Sequence, residues 1–160
     1  MPDPTLRPYR PADRAACLAL FDSNMPSSFL PHERAEFIEW LDGLDGSSSE
    51  ACEYSVVEDA GQAVACGGIW WGGDPQRPAG FAWGMVARDL QRRGYGTRLV
   101  LARLERLREL GVAEVHLDTT QHTAPYYARF GFLEMGRVPD GYGPGLDRVD
   151  MVAQLERSGA

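Results

Sequence analysis

The 160-residue chain contains no lysine, and all sixteen of its basic residues are arginine. This absence excludes Walker-type phosphate loops, Schiff-base chemistry and pyridoxal phosphate attachment, because each of these uses a lysine amine. The three cysteines, Cys17, Cys52 and Cys66, form no C-x-x-C pair. Scattered thiols in odd number argue against a disulfide scaffold and favour a reducing compartment.

Histidines and long apolar runs are also scarce. Only His116 and His122 lie near each other among the three histidines, so we expect no dedicated metal site. No stretch approaches the ~20 apolar residues of a membrane span. The N-terminal residues 1–4 lack the basic and apolar regions of a signal peptide. We therefore expect a cytoplasmic protein without a membrane partner.

The chain is acidic, with a formal net charge of −7. This charge argues against nucleic acid as a partner, because phosphate backbones require a basic surface. It is compatible with a cationic substrate. The length favours a single domain over residues 1–160, and neither a linker nor an internal repeat interrupts it.

Hydrophobic periodicity and turn signals predict elements in the order βααβββαβαββ. Strands are expected at Thr5–Arg10, Tyr54–Glu58, Ala63–Trp71, Phe81–Val86, Val112–Thr119, Leu133–Val138 and from Val149 to Leu155; helices at Pro11–Asn24, Pro31–Leu44, Gly94–Leu110 and Thr123–Phe130; and turns at Gly46–Ser49 and Gly72–Pro75. Because helices and strands interleave, we expect an α/β fold with a central mixed sheet covered by helices on both faces.

The strongest motif is the junction between the fourth strand and the long helix, where residues 91–96 read Q-x-x-G-x-G. Glycines let backbone approach a ligand closely, and the free N–H groups of a helix start bind anions. Four arginines, at positions 88, 92, 93 and 98, add positive charge. The junction predicts a pyrophosphate site, with a tight turn and solvated arginines as the alternative reading.

A second motif about thirty residues downstream, Tyr-Tyr-Ala-Arg-Phe-Gly-Phe at 126–132, makes the pair of motifs more specific. Together, at this spacing and in this element order, they resemble the GCN5-related N-acetyltransferase (GNAT) superfamily over nearly the whole chain. The resemblance implies that the fourth and fifth strands splay apart and that acetyl-CoA binds between them. The implied cofactor-binding residues are Gly84, Met85, Val86, Gln91, Arg92, Arg93, Gly94, Tyr95, Gly96, Thr97 and Thr120.

The chain departs from the family pattern at three places. Thr120 stands where the family often has an asparagine, and Arg88 where many members have a proline. The fourth strand, Phe81–Val86, contains no acid, although many members place a glutamate base on the fourth or fifth strand. Because the fourth strand has no acid, the general base must come from another part of the chain.

Acetyl transfer to an amine requires an acceptor for the amine proton and an acid for the departing thiolate. Tyr127 matches the family tyrosine that protonates the thiolate, and helical phase turns Tyr126 about 100° away into a packing role. His116 on the fifth strand is the candidate base because histidine titrates near neutral pH. The alternative is that the His116 side chain only packs under a helix. Asp118, on the same strand face, either orients His116 or is an independent anion. His122 is expected at the surface. A base relayed by water, with no single essential residue, is a further alternative.

The acceptor side carries fewer signals. The loop at 24–29 joins the first two helices, where the superfamily builds its acceptor site. Glu33 is the acid expected nearer the cleft. At least one of Trp70, Trp71 and Trp83 is expected to pack in the core, and the others are candidates for the wall of an aromatic pocket. The glycine-rich loop 140–147 is too irregular for a simple hairpin, and its Tyr142 and Asp147 are candidates for meeting a cation.

The expected activity is transfer of an acetyl group from acetyl-CoA to a primary amine of a small molecule by direct attack. A protein amine is the alternative within this class, and a catalytically idle acyl-CoA-binding module is the alternative outside it. Members of the superfamily dimerise in several ways, so a homodimer is a further expectation.

Overall fold

The computed structural model describes residues 3–45, 51–72 and 78–156. The elements, in chain order, are β1 Thr5–Pro8, α1 Arg14–Ser23, α2 Glu33–Asp42, β2 Ala51–Asp59, β3 Gln62–Trp71, β4 Ala79–Val86, α3 Tyr95–Glu109, β5 Glu114–Thr119, α4 Ala124–Ala128, β6 Leu133–Gly143 and β7 Leu146–Gln154. The predicted order βααβββαβαββ is confirmed. The predicted turn at 46–49 and most of the break at 72–75 lie outside the described residues.

The seven strands form one sheet in the order β1-β2-β3-β4-β5-β7-β6. All neighbours are antiparallel except β4 and β5, which run parallel. Because a parallel connection needs a crossover, the chain between β4 and β5 includes the long helix α3. The sheet is therefore mixed, as the sequence predicts.

Helices cover both faces of the sheet. On one face, α3 buries Val100, Leu104 and Leu107 against a core that includes Val115 and Phe132. On the other face, α1 and α2 bury a second core that centres on aromatic rings and includes Cys17, Phe21, Phe37, Tyr54 and Cys66. Within the described ranges, no helix has both the length and the apolar character needed to cross a membrane.

Several predicted boundaries differ from the structure for identifiable reasons. The first strand ends at Pro8 rather than Arg10, because the chain then turns through a short 3-10 helix at Pro11–Asp13 into α1. Residues 140–147 are predicted to be too irregular to be simply a hairpin; the structure pairs them as a hairpin, and the predicted irregularity lies within it. Residues 140–143 complete β6, and β7 begins at Leu146. A register irregularity between Val138 and Gly143 accommodates the extra residues of β6, where Asp140 has a positive φ of 52°.

Four aromatic side chains fasten α1, α2 and their connecting loop to β4. The ring centroid of Phe21 lies 4.6 Å from that of Phe29 and 5.6 Å from that of Phe37. Trp83 of β4 completes the group, with its ring 5.1 Å from Phe37 and 6.0 Å from Phe29. Offset and tilted pairs of this kind add to the free energy gained from burying the rings. Trp83 therefore belongs to the core that positions β4.

Replacing Phe37 tests how much this cluster contributes. Phe37 is fully buried, so Phe37→Ala leaves a cavity beneath Trp83 and should lower the free energy of unfolding by about 3–5 kcal/mol. Denaturant unfolding measures the change. Leu101→Ala is the control, because Leu101 is 53% exposed on α3 and its loss should change stability by no more than about 0.5 kcal/mol. Equal effects of the two substitutions would contradict the assigned role of the cluster.

Candidate active site

The main opening in the sheet lies between β4 and β5. These two strands pair at only two positions, Ala79 with Val115 and Gly80 with His116. Both strands continue beyond these pairs, to Val86 and Thr119 respectively. The backbone groups of β4 that point toward β5 therefore have no strand partner along most of the strand. Unpaired backbone N–H and C=O groups of this kind are ready to bind an extended ligand.

A bulge in the middle of β4 shapes one wall of this opening. Trp83 has a positive φ of 46°, and the register with β3 shifts between Cys66 and Gly68, so Trp83 and Gly84 both stand opposite Gly67. The hydroxyl of Tyr54 donates a 2.6 Å hydrogen bond to the carbonyl of Trp83. A bulge bends its strand, and here the buried tyrosine fixes the bend.

The end of β4 is held by Asn24, which the sequence placed in the acceptor loop 24–29 without predicting its contact with β4. The N–H of Ala87 bonds to the carbonyl of Val64 at 2.9 Å, so alternation along the strand turns the polar groups of Val86 away from β3. The side-chain amide of Asn24 donates to the Val86 carbonyl at 2.9 Å. Asn24 also accepts a 3.0 Å hydrogen bond from Gln91, which joins α1 to the glycine loop.

The glycine loop leads directly into the N-terminus of α3. Arg92 and Gly94 have φ values of 67° and 88°, and Gly94 occupies the N-cap position without any side-chain cap. The hydroxyl of Tyr95 donates to the carboxylate of Asp59 and fixes the first turn of the helix. The first backbone N–H groups of α3 therefore lie at the mouth of the opening with no capping side chain, as an anion site requires.

Positive charge surrounds this helix start. Arg92, Arg93 and Arg98 are exposed, and none of them forms an ion pair with a carboxylate in the part of the chain that the structure describes. Arg88 instead donates to the hydroxyl of Ser27 at 3.1 Å and tethers the loop to the α1–α2 connection. Three arginines thus remain available to a phosphate group, and the fourth has a structural partner.

The opposite wall comes from the start of α4. Thr120 is buried, and its carbonyl accepts hydrogen bonds from the N–H groups of Thr123 and Ala124 at 3.2 and 3.0 Å. Its hydroxyl lies 3.3 Å from that of Thr123. Thr120 therefore shapes the turn into α4, and its contact with a cofactor stays a prediction.

The contacts of the two tyrosines of α4 differ from the prediction based on helical phase, in which Tyr126 has only a packing role. The hydroxyl of Tyr126 lies 3.2 Å from that of Thr97, so Tyr126 reaches the first turn of α3 besides packing. The ring of Tyr127 contacts Phe81 and Phe132 edge to face, at centroid distances of 6.4 and 5.9 Å. Both rings pack on the α3 side of the sheet, Tyr127 beside Phe81 of β4 and Tyr126 beside the first turn of α3.

His116 lies at the narrow end of the opening, in register with Gly80 of β4. Its Nε2 atom is buried and has no hydrogen-bond partner; the carboxylate of Glu114 lies 3.3 Å away without hydrogen-bond alignment. Asp118 does not orient this ring, because its carboxylate accepts a hydrogen bond from the hydroxyl of Tyr142. The two candidates for proton transfer are therefore independent groups.

Glu33 and Tyr142 lie where the β6–β7 hairpin meets the α1–α2 loop. A Cβ on Gly143 would come within 2.2 Å of Leu30, which shows how closely the two loops approach. Glu33 is 6% exposed and accepts the N–H of Leu30 at 2.9 Å; burial raises the pKa of its carboxyl above 4.5. Burial also raises the pKa of Tyr142, and its bond to Asp118 adds to the effect.

The other acceptor-side candidates have structural roles. The carboxylate of Asp147 accepts the N–H of Asp140 at 3.0 Å inside the hairpin turn. Trp70 lies against Gly80, where a Cβ would come within 2.5 Å of its indole, and Trp71 packs on the core beneath α3. The structure thus groups Glu33, Asp118 and Tyr142 on one side of the opening and separates them from Asp147.

The mixed sheet, with its parallel strand pair open beside an uncapped helix start, has the architecture of an acetyltransferase fold. The chain belongs to the GNAT acetyltransferase family: the model of the "Acetyltransferase (GNAT) family" matches residues 15–132. No curated protein sequence matches the chain significantly.

Three solved structures illustrate the shared fold. A GNAT-family protein from Desulfovibrio desulfuricans is 19% identical, with a TM-score of 0.78 over 95% of this chain and 99% of that one. The ribosomal-protein-S18-alanine N-acetyltransferase from Escherichia coli is 18% identical, with a TM-score of 0.75 over 98% and 97%. The spermidine N-acetyltransferase from Vibrio cholerae, in complex with CoA and spermine, is 21% identical, with a TM-score of 0.74 over 96% of both chains.

The buried carboxyl of Glu33 predicts a pH-dependent change in stability. Its pKa in the folded chain is raised, so the folded state is favoured when Glu33 is protonated, and this contribution is lost as pH rises through the folded pKa. Glu33→Gln should therefore raise the melting temperature near neutral pH, and the gain should vanish as pH falls below the ordinary glutamate range.

Thermal unfolding at several pH values checks this expectation, with the exposed Glu39→Gln on the same helix as the control. A gain for Glu33→Gln that stays constant or grows toward acid pH would contradict the assignment of a raised pKa.

Proposed function

We propose that the chain is an N-acetyltransferase that moves the acetyl group of acetyl-CoA to a primary amine of a small molecule. The observation that carries this proposal is the separation of β4 from β5 immediately beside the uncapped start of α3. An extended thioester fits an unpaired strand edge, and its pyrophosphate fits the N–H groups of a helix start. Membership of the GNAT family supports the same reaction class.

In this proposal, the pyrophosphate binds at residues 91–97. The N–H groups of Gly94, Tyr95, Gly96 and Thr97 face it, and Arg92 and Arg93 add positive charge. A Cβ on Gly96 would come within 3.1 Å of the Tyr126 hydroxyl and 3.4 Å of Val86, so glycine keeps this approach open. The acyl-bearing arm then extends along β4 past Val86, Met85 and Gly84 toward the narrow end of the opening.

The reaction is a direct transfer. The lone pair of a neutral amine attacks the thioester carbonyl carbon, a new C–N bond forms, and the C–S bond breaks with its electron pair on sulfur. Tyr127 donates a proton to the thiolate, because a tyrosine hydroxyl stays protonated near neutral pH. The amine proton passes to His116, whose buried Nε2 has no hydrogen-bond partner. Asp118 is the alternative acceptor of this proton.

The acceptor amine enters between the α1–α2 loop and the β6–β7 hairpin. Glu33, Asp118 and Tyr142 present oxygen atoms on this side, and Phe29 and Trp83 lie in the aromatic cluster beneath the loop. The contact between Gly143 and Leu30 leaves little width for a folded protein chain. A compact amine therefore fits this side better than a protein surface.

Turnover of acetyl-CoA over a panel of small amines and amine-bearing peptides tests the activity. Release of CoA with a small amine, and not with peptides, would support the proposal. Acetylation of peptides alone would favour a protein substrate. Tight CoA binding with no turnover on any amine would favour the idle acyl-CoA-binding module.

Two glycines with equal backbone strain test the cofactor site. Gly94 and Gly61 have φ values of 88° and 80°, and a Cβ added at either position would have no heavy atom within 4 Å. Alanine at either position is strained by about 1–2 kcal/mol, so both variants should lose similar stability. Only Gly94→Ala displaces the N–H groups that bind pyrophosphate, and it should weaken CoA binding roughly tenfold, the equivalent of about 1.4 kcal/mol.

Calorimetric titration with CoA measures both variants beside the unaltered protein. Gly61→Ala, in the β2–β3 turn, should keep the original affinity. An unchanged dissociation constant in Gly94→Ala, or an equal loss in both variants, would contradict the position assigned to the pyrophosphate.

The role of Tyr127 is tested by removing its hydroxyl alone. General acid catalysis contributes ~10²–10⁴-fold, and water replaces part of it, so Tyr127→Phe should lower kcat at least roughly tenfold with little change in CoA affinity. Tyr126→Phe makes the same chemical change one residue away and removes the contact with Thr97. It should leave kcat nearly unchanged. Steady-state kinetics compare the two, and an unaltered kcat in Tyr127→Phe would remove the acid from the mechanism.

A further inference from the structure

Arg103 is a buried cation beneath the bulge of β4. It lies on α3, is only 5% exposed, and holds its guanidinium carbon 3.9 Å from the centre of the Phe81 ring. Its nitrogens donate to the carbonyls of Leu99 and Gly68, at 3.4 Å in each case. These long hydrogen bonds and the aromatic face satisfy the group in part, but none of them neutralises its charge.

Glycines on two strands make room for this side chain. A Cβ on Gly84 would lie 2.9 and 3.0 Å from the two terminal nitrogens of Arg103, and a Cβ on Gly67 would lie 3.3 Å from its guanidinium carbon. Gly84 belongs to the bulge of β4 that walls the opening. The guanidinium therefore lies directly behind the backbone along which the proposed thioester arm extends.

No anion compensates this charge within residues 3–45, 51–72 and 78–156, where Arg103 forms no ion pair with a carboxylate. Arg7, Glu53 and Arg106 line the same cavity as Arg103, and the Glu53 carboxylate there is paired with Arg106. The other titratable groups near Arg103 are Tyr54 of β2 and Cys66 of β3. Burial is the largest cause that raises the pKa of each well above its ordinary value, so both are neutral near neutral pH. A guanidinium keeps its charge there, and burying it without a counter-ion disfavours the folded state.

The place where the proposed reaction creates negative charge is close to this cation. Phe81 contacts Arg103 with its face and also packs against Tyr127, with ring centroids 6.4 Å apart and ring planes at 64°. Tyr127 is the proposed proton donor to the CoA sulfur. The sulfur that becomes negative when the C–S bond breaks therefore forms beside the same aromatic ring that holds the guanidinium.

We propose that Arg103 is a positioning residue that acts electrostatically across the backbone of Gly84 and stabilises the CoA thiolate as it leaves. This inference rests on the proposed function, and it assigns Arg103 no contact with the substrate. The electron pair of the broken C–S bond stays on sulfur until Tyr127 delivers the proton. The buried positive charge lowers the free energy of the thiolate during that interval.

Ionisation of the thiol of bound CoA tests this role without requiring turnover. The ultraviolet absorbance of the thiolate, measured against the complex with desulfo-CoA, gives the midpoint pH of ionisation in the binary complex. Arg103→Met keeps an unbranched apolar side chain and removes the charge. It should raise the midpoint by about one pH unit, a tenfold change in the ionisation constant, and lower kcat by a similar factor.

Three further variants separate charge from shape. Arg103→Lys keeps the charge and should hold the midpoint near that of the unaltered protein. Arg103→Gln is a second neutral variant and should shift the midpoint as Met does, which covers the case that Arg103→Met fails to fold. Arg106→Met removes an exposed arginine of the same helix, paired with Glu53 and Glu109, and should leave the midpoint unchanged.

The outcomes distinguish this inference from the function on which it rests. Equal midpoints in the neutral variants and the unaltered protein, with CoA still bound, would overturn the role of Arg103 alone. Equal shifts in the Lys and neutral variants would assign Arg103 a purely structural role and overturn the inference as well. Failure of the unaltered protein to bind CoA would overturn the proposed function and this inference together.

Discussion

The separation of β4 from β5 is the constraint on which the site depends. A parallel pair inside a sheet normally satisfies its backbone groups along its whole length, but here pairing stops after Gly80 and His116. Buried backbone N–H and C=O groups require partners. Asn24 supplies one partner, at the carbonyl of Val86. The remaining edge of β4 is the feature that a bound acyl-CoA arm would complete.

The surrounding structure keeps β4 in this position from both faces. Phe21, Phe37 and Trp83 fasten it from the α1–α2 face, and the Tyr54 hydroxyl holds the bulge at Trp83. From the other face, Arg103 fills the space that Gly67 and Gly84 leave open. The opening is therefore built into the packed core, and its shape is set before any ligand arrives.

Local sequence patterns predicted the parts of the site that depend on neighbouring residues. The glycine loop and the helix start at Gly94 follow from short-range geometry, and the structure places both at the mouth of the opening. The role of Asn24 at β4 was missed, although the sequence placed it in the loop 24–29, because this role depends on contacts with Val86 and Gln91, more than sixty residues away in the sequence. Its only local signal is its position at the C-terminal end of α1.

The errors have the same origin. The glycine-rich segment 140–147 was interpreted from composition, but its pairing is fixed by the neighbouring strand β7. The pairing of Asp118 with His116 was suggested by their shared face, whereas the structure brings Tyr142 to Asp118 from the distant hairpin. Alternation along a strand specifies a face, and long-range packing then decides which groups on that face meet.

Amide hydrogen exchange of the protein with and without acetyl-CoA tests the central claim most directly. If the cofactor completes the edge of β4 and caps α3, protection should increase at the end of β4, including Val86, and at residues 94–97. The end of β7 near Leu155, which bonds to Ala113 at the closed end of the β4–β5 pair, should exchange at the same rate in both states. Protection confined to other parts of the chain, or no change at β4 and the start of α3, would contradict this account.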